Sequence, residues 1–81
     1  MAQRKVEFTF VGEQVKEPVI YWLGHKFPIV TNIRRAQVDA DVGRVLLEID
    51  GELSAIEEGL EWVRSQGVQV SPVEGDILAG D

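Results

Sequence analysis

The chain has 81 residues, no cysteine, and a formal net charge of −6 from eight Lys and Arg against fourteen Asp and Glu. This size supports one small core, so we expect a single domain over residues 1–81. The missing cysteines exclude disulfides, thiolate metal sites and a cysteine nucleophile. The acidic balance argues against nucleic-acid binding, and no apolar run approaches the roughly 20 residues that span a bilayer. We expect a soluble, cytoplasmic protein that does not insert into a membrane.

The first segment of the chain has the pattern of a half-buried strand. Val6, Phe8 and Phe10 alternate with more polar residues, which predicts one buried face. A short helix is predicted next, because Pro18 suits the first helical position and Pro28 ends the helix. The apolar stripe of this helix is Val19, Ile20, Leu23 and Phe27.

The alternating pattern of the second predicted strand slips by one residue near Arg34 and Arg35. A single inserted residue explains such a slip, which predicts a β-bulge. Residues 41–43 then fit a hairpin turn, so the second and third strands should pair antiparallel. The phase before the slip holds Ile29, Thr31 and Ile33, and the phase after it holds Ala36, Val38, Ala40 and Val42. The third strand points Val45, Leu47 and Ile49 inward.

A second helix is predicted to begin at Ser54, because Ser54 and Glu57 have the spacing of a capping box. Gly59 would permit close approach to a sheet, and Gly67 suits the helix end. A last short strand follows at Val68 and Val70, and residues 75–81 are expected to form a flexible acidic tail on a core of residues 4–74. The buried side of this helix is predicted as Leu53, Ile56, Leu60 and Val63.

The order of elements, β-α-β-β-α-β, predicts an α+β ferredoxin-like fold. Right-handed crossovers would place both helices on one face of a four-stranded antiparallel sheet with the order 4-1-3-2. The other face would be bare, and an uncovered face commonly becomes a ligand platform or a dimer interface. The candidate interface residues are Thr9, Val11 and Leu46 on the bare face, with Tyr21 and Trp22 outside the stripe of the first helix.

The sequence offers no catalytic constellation. Neither a phosphate-binding loop nor a dinucleotide-binding motif occurs, and the lone His25 has no companion pattern of ligands or triad partners. We therefore expect no enzyme activity, no metal site and no cofactor. Asn32 beside the slip has two open interpretations: a bulge residue that bonds local backbone, or a donor and acceptor for a polar ligand.

Three blocks of sequence together resemble the NIL domain, which is named for an Asn-Ile-Leu motif. They are the run from Thr31 to Ile33, the hairpin run from Gly43 to Gly51, and the helix end at residues 66–68. The likeness covers residues 4–74. Arg34 stands where the motif has leucine, and Ala36 stands where a glycine is usual.

NIL domains occur at the C-terminus of methionine-import ABC transporter ATPases. The resemblance implies a regulatory, ACT-like domain that pairs with a second copy and binds an amino acid such as methionine near the interface. By position, Asn32 would contact the amino acid, Ile33 would shape the pocket, and Arg34 would place a guanidinium at its mouth.

Two functions follow as hypotheses. The first is a non-catalytic, homodimeric module that senses a small ligand such as an amino acid. The alternative is a structural adaptor that docks on a larger protein through Tyr21, Trp22 and the acidic second helix.

Overall fold

A computed structural model describes residues 1–12 and 18–73 of the protein. The described elements follow the predicted order β-α-β-β-α-β. The predicted tail over residues 75–81 lies outside the described residues. The elements are β1 (Ala2–Val11), α1 (Val19–Lys26), β2 (Ile29–Val38), β3 (Val42–Gly51), α2 (Leu53–Ser65) and β4 (Gln69–Pro72).

The four strands form one sheet with the order β2-β3-β1-β4. Every neighbouring pair is antiparallel. This order is the predicted one, and together with the two helices it confirms an α+β ferredoxin-like fold.

One core lies between the sheet and both helices. The inward residues predicted for β1 and β3 are buried, and they join buried residues of α1 and α2 in a single cluster. Both helices therefore cover the same face of the sheet, and no helix of residues 1–12 and 18–73 covers the other face. The buried residues are Val6, Phe8, Phe10, Val19, Leu23, Ile29, Val45, Leu47, Ile49, Ala55, Ile56, Leu60, Val63 and Val68.

The predicted β-bulge is confirmed in β2. Ile33 pairs with Leu47, whereas Arg35 pairs with Leu46, so the register shifts between Ile33 and Arg35. Arg34 is therefore the inserted residue, and the strand phase reverses after it. The bulge lets an apolar residue return to the helix side of the sheet at Ala36.

The predicted hairpin turn at residues 41–43 is wrong by about two residues. Val42 and Gly43 already belong to β3, where they pair with Val11 and Phe10 of β1. The turn is closed instead by the Asp39 N–H, which donates to the Val42 carbonyl at 2.8 Å. Pairing with β1 thus extends β3 into the segment that local turn propensity assigned to the loop.

The predicted start of α2 is also wrong. The helix begins at Leu53 with Glu52 as its N-cap, and no side chain makes a capping hydrogen bond there. Ser54 already lies inside the first turn, so it cannot cap, and the Glu57 carboxylate accepts a bond from Arg4 at 3.3 Å. Leu53, predicted as buried, is 46% exposed because it lies at the helix entrance.

Two further predictions concern the helices. Gly59 is buried and lies close to both α1 and the sheet: a Cβ built there would stand 2.9 Å from Leu23 Cδ1 and 3.4 Å from Ile29 Cδ1 of β2. Pro18 is the N-cap of α1 and not its first helical residue. Its carbonyl accepts the Trp22 N–H at 3.1 Å.

Candidate functional site

The face of the sheet opposite the helices, called here the open face, is built from side chains that alternate with the core residues. Residues directly across a strand pair share a face of the sheet, so the pairing of the strands identifies the residues of this surface. The open face carries Lys5, Glu7, Thr9 and Val11 of β1, Arg44, Leu46, Glu48 and Asp50 of β3, Asn32, Arg35 and Gln37 of β2, and Gln69 and Ser71 of β4.

Glu48 organises the charges at the middle of the open face. Its carboxylate lies 3.4 Å from Lys5 Nζ and 3.6 Å from Arg34 Nη1. The Glu48 side chain is only 14% exposed, while Arg34 reaches further into solvent. Asn32 lies directly across from Glu48 in the register. The Glu48 carboxylate on β3 therefore lies between the Lys5 ammonium on β1 and the Arg34 guanidinium on β2, and the Asn32 amide on β2 is its cross-strand neighbour.

The three predicted ligand residues do not share one surface. Asn32 and Arg34 both belong to the open face beside Glu48. Ile33 pairs with the core residue Leu47, so it lies on the helix side of the sheet, where it is 57% exposed. The geometry brings Asn32 and Arg34 together and separates Ile33 from them.

The local-backbone interpretation of Asn32 finds no support. Within residues 1–12 and 18–73, the Asn32 side chain makes no hydrogen bond. Its amide is exposed at the surface. An amide offers two donors and an acceptor oxygen, so Asn32 can still serve a polar group that approaches the open face.

The predicted interface residues fall on two separate surfaces. Thr9, Val11 and Leu46 lie on the open face. Tyr21 and Trp22 lie on α1, in the opposite layer, and are 55% and 45% exposed. A single flat partner cannot contact both sets at once.

The aromatic residues of α1 pack on one another at the surface. The Tyr21 and His25 rings stack with centroids 4.0 Å apart, and the Trp22 ring meets Tyr21 edge-on at 5.1 Å. His25 Nδ1 lies 3.1 Å from the Tyr21 carbonyl oxygen. These contacts orient His25 on the exposed surface of α1.

An apolar cavity of about 210 Å³ lies between α1 and the β2–β3 hairpin. Sequence reasoning missed it because its walls come from elements that are far apart in the chain. The lining residues are Phe10, Pro18, Val19, Ile20, Tyr21, Val38, Gly43 and Val45.

Two further kinds of feature are absent from the described part of the chain, a metal-binding cluster and a membrane-spanning helix. Across the described ranges, no cluster of three or more His, Asp and Glu side chains could hold a metal ion. The same part of the chain contains no helix that is long and apolar enough to span a bilayer.

Comparison with known proteins places these features in context. Residues 4–72 match the NIL domain family. The chain is 27% identical over 73 residues to "Methionine import ATP-binding protein MetN 1" of Enterococcus faecalis, a match that covers 85% of this chain and 20% of that protein. It is 26% identical over 76 residues to "Methionine import ATP-binding protein MetN" of Halalkalibacterium halodurans, covering 89% of this chain and 22% of that protein.

A solved structure shares the fold. The C-terminal domain of an ABC transporter ATP-binding protein from Enterococcus faecalis superposes with a TM-score of 0.74 at 17% identity, covering 86% of this chain and 82% of that domain. The chain spans only about a fifth of the length of the curated relatives it matches. The family match covers most of the chain, and the chain therefore belongs to the NIL domain family.

Proposed function

We propose that this protein is a non-catalytic regulatory module that binds an amino acid, with methionine as the leading candidate, on its open face between two copies of the chain. The relatives named for methionine import supply the choice of ligand. Their relation to ATP-binding subunits also supports action on the cytoplasmic side of a membrane.

The observation that carries the proposal is the pairing of opposite charges around Glu48. A free amino acid is a zwitterion, so its site needs an acceptor for the ammonium and a donor for the carboxylate. Glu48 supplies the first, Arg34 supplies the second, and Asn32 lies beside both. Charge-assisted bonds of this kind are the strong ones at such sites.

An open sheet gives a ligand little shelter, which is why the proposal includes a second copy. Binding sites that hold small molecules bury most of the ligand surface. Two open faces packed together would enclose the Glu48 cluster and would cover Thr9 and Leu46. Ile33 lies on the other side of the sheet, so in this arrangement it stays outside the pocket.

The test is isothermal titration of the purified protein with methionine and with each other amino acid. We expect saturable binding of methionine, weakened about tenfold or more by Asn32→Ala and by Arg34→Ala, since a bond to a charged group contributes about 1.5–3 kcal/mol. Arg64→Ala on α2 is the matched control and should bind as the unaltered chain does. Absence of heat with every amino acid, in protein that is folded by circular dichroism, would remove the sensing function.

The exposed aromatics of α1 favour a second candidate function, a structural adaptor that docks on a larger protein. Tyr21 and Trp22 offer apolar area on a rigid helix, and aromatic residues are enriched at protein interfaces. The acidic surface of α2 would contribute charge. The test is a pull-down with a defined partner protein. If Trp22→Ala abolishes binding of that partner and Asn32→Ala does not, the adaptor function is supported; the reverse result would reject it.

A further inference from the structure

The side of the helix layer that faces away from the sheet, called here the outer helix face, carries two rows of side chains. On α1 the rings of Tyr21 and Trp22 are 55% and 45% exposed. On α2 the carboxylates of Glu57, Glu58 and Glu61 are exposed. One row is therefore aromatic, and the other is acidic.

Contacts between the helices show that the two rows border one groove. Lys26 Nζ lies 5.7 Å from the centroid of the Trp62 ring, so Lys26 is on the side of α1 that faces α2. Trp22 lies four residues before Lys26 and shares that side, because residues at this spacing are neighbours on a helix surface. Glu58 has the same relation to Trp62 on α2. Trp22 and Glu58 therefore lie along the groove, one on each helix.

The floor of this groove leaves no space for a partner to enter between the helices. A Cβ built on Gly59 would stand 2.9 Å from Leu23 Cδ1, so the two helices approach closely there. The Trp62 ring packs against the core, with its centroid 6.2 Å from that of Phe27. A partner would therefore lie on top of both helices and contact both rows.

Glu58 differs from the other two carboxylates of the outer helix face. Glu57 pairs with Arg4 at 3.3 Å, and Glu61 pairs with Arg64 at 3.2 Å. In the described part of the chain, no cation lies within ion-pair distance of Glu58. Its carboxylate is exposed beside the groove, where a cation of a partner can reach it.

We propose that the outer helix face binds an amphipathic helix of a partner protein, with apolar residues along one edge and Lys or Arg along the other. The apolar edge would lie on Tyr21 and Trp22, and the basic edge would lie on Glu58 and Glu61. Aromatic side chains are common anchors at protein interfaces. This inference names the partner of the adaptor function and rests on that function, and it is independent of amino-acid binding on the open face.

The shape of the outer helix face suits a helical occupant. The thirteen residues of α2 extend over about 20 Å, and a helix of similar length can pack along two helices with its side chains between theirs. Binding of an amphipathic helix by a complementary surface is a recurrent mode of recognition. The partner would add a third helix to the layer.

Two other occupants fit this surface less well. A second copy would set its own outer helix face against the carboxylates, so they would meet either carboxylates or aromatic rings. Burying a carboxylate without a cation or hydrogen-bond donor is costly. A membrane surface rich in anionic lipids would repel the same carboxylates. A basic helix provides contacts for both rows.

The test uses two blocked peptides of about 18 residues, long enough to form a helix. Both have leucines at helical spacing along one edge, and the adjacent edge has lysines in one peptide and glutamates in the other. Titration calorimetry at physiological salt, where long-range attraction is screened, gives the affinity, and amide chemical shifts of the protein locate the site. We expect the lysine peptide to bind with the largest shifts in α1 and α2, and the glutamate peptide to bind at least about tenfold more weakly.

Three variants separate the two rows. Trp22→Ala should weaken the lysine peptide about tenfold or more, as loss of an aromatic anchor does. Glu58→Lys should weaken it about threefold or more, the scale of an exposed charge pair, and should strengthen the glutamate peptide. Asp41→Lys makes the same charge change at an exposed residue of the β2–β3 loop and should change neither affinity. Circular dichroism verifies the fold of each variant.

Several results would overturn the basic helix as partner. They are equal binding of the two peptides, binding of neither, shifts centred outside α1 and α2, and equal weakening by Asp41→Lys and Glu58→Lys. Binding to phosphatidylcholine–phosphatidylserine vesicles that Trp22→Ala abolishes would identify a membrane as the occupant and would overturn it too. A dimer that Trp22→Ala dissociates would do the same by identifying a second copy.

The variants also distinguish failure of this inference from failure of the adaptor function. If a defined partner protein requires Trp22 but binds Glu58→Lys as it binds the unaltered chain, the adaptor function holds and a basic partner is rejected. If Trp22→Ala affects neither that partner nor the lysine peptide, both are rejected.

Discussion

Gly51, the last residue of β3, occupies a position that other residues cannot share without strain. Its φ is +159°, and an added Cβ would stand 2.9 Å from Ile29 Cγ2 and 3.2 Å from the backbone oxygen of Pro28. A backbone oxygen cannot rotate away as a side chain can. We expect Gly51→Ala to lower the free energy of unfolding by about 1–3 kcal/mol, measured by urea denaturation.

Gly24 is the matched control for this prediction. It lies on the exposed side of α1, and no atom comes within 4 Å of a Cβ built there. Alanine is favoured over glycine inside a helix by roughly 0.5–1 kcal/mol, so Gly24→Ala should raise the free energy of unfolding. Equal destabilisation by both substitutions would contradict the assigned environments.

Single residues show where sequence reasoning succeeds and fails. Strand alternation already separates Asn32 from Ile33, and the structure confirms that they lie on opposite faces. The capping box at Ser54 and Glu57 fails because the helix begins one residue earlier, at Leu53, and the Glu57 carboxylate instead pairs with Arg4, which is distant in sequence. Local spacing predicts which bonds are possible, and tertiary contacts decide which are made.

The buried stripe of α2 is the element-scale feature that most directly supports the core. Leu60 is buried in the core, and Leu53 on the same helix is nearly half exposed. We expect Leu60→Ala to cost about 2–5 kcal/mol, the transfer and cavity terms of a core truncation. This is a large share of the total for a small domain.

Leu53→Ala makes the same chemical change at the helix entrance, so it controls for helix propensity and side-chain size. Its expected cost is about 1 kcal/mol, because nearly half of the Leu53 side chain stays in water on folding. The measurement is the urea concentration at the midpoint of unfolding. The slope of unfolding free energy against urea concentration should be the same for each variant. A midpoint that Leu60→Ala leaves unshifted would show that the assigned core face of α2 is wrong.

The order and type of the helices and strands follow from the periodicity of apolar residues in the sequence. How much of β2 the helices cover does not. The pattern puts Ile33 on the inward phase and leaves the register after the bulge open, and it cannot tell how far the helices extend over the strand. The eight residues of α1 reach only about 12 Å, while the ten of β2 reach about 33 Å. The helices therefore leave much of β2 exposed: Ile33, Ala36 and Val38 lie on the helix side of the sheet and are exposed, and Val38 lines the cavity beside the start of α1.

At the scale of the whole molecule, the protein is a thin two-layer plate. Its principal extents are 35 × 28 × 16 Å, and the short dimension is what one sheet and one helix layer require. The bare face was predicted from topology alone, since right-handed crossovers put both helices on one side. The cluster around Glu48 could not be predicted in the same way, because the bulge decides where Arg34 reaches.

Dimerisation through the open face is the remaining prediction, and Leu46 is its most sensitive position. Leu46 is an apolar residue of β3 on the open face, paired with Glu7 on one side and Arg35 on the other. We expect sedimentation equilibrium to show a dimer for the unaltered chain and a monomer for Leu46→Asp. A carboxylate buried without a partner in such an interface costs about 2 kcal/mol or more, which raises the dimer Kd at least about thirtyfold.

Gln69→Asp makes a similar change on the same face, but on β4 at the edge of the sheet, where water still reaches the side chain. It should remain dimeric, and both variants should keep the circular dichroism spectrum of the unaltered chain. A monomer at every concentration of the unaltered chain, with and without methionine, would contradict assembly through this face. A dimer that persists in Leu46→Asp would move the interface to another surface, with the aromatic side of α1 the next to be tested by Trp22→Ala.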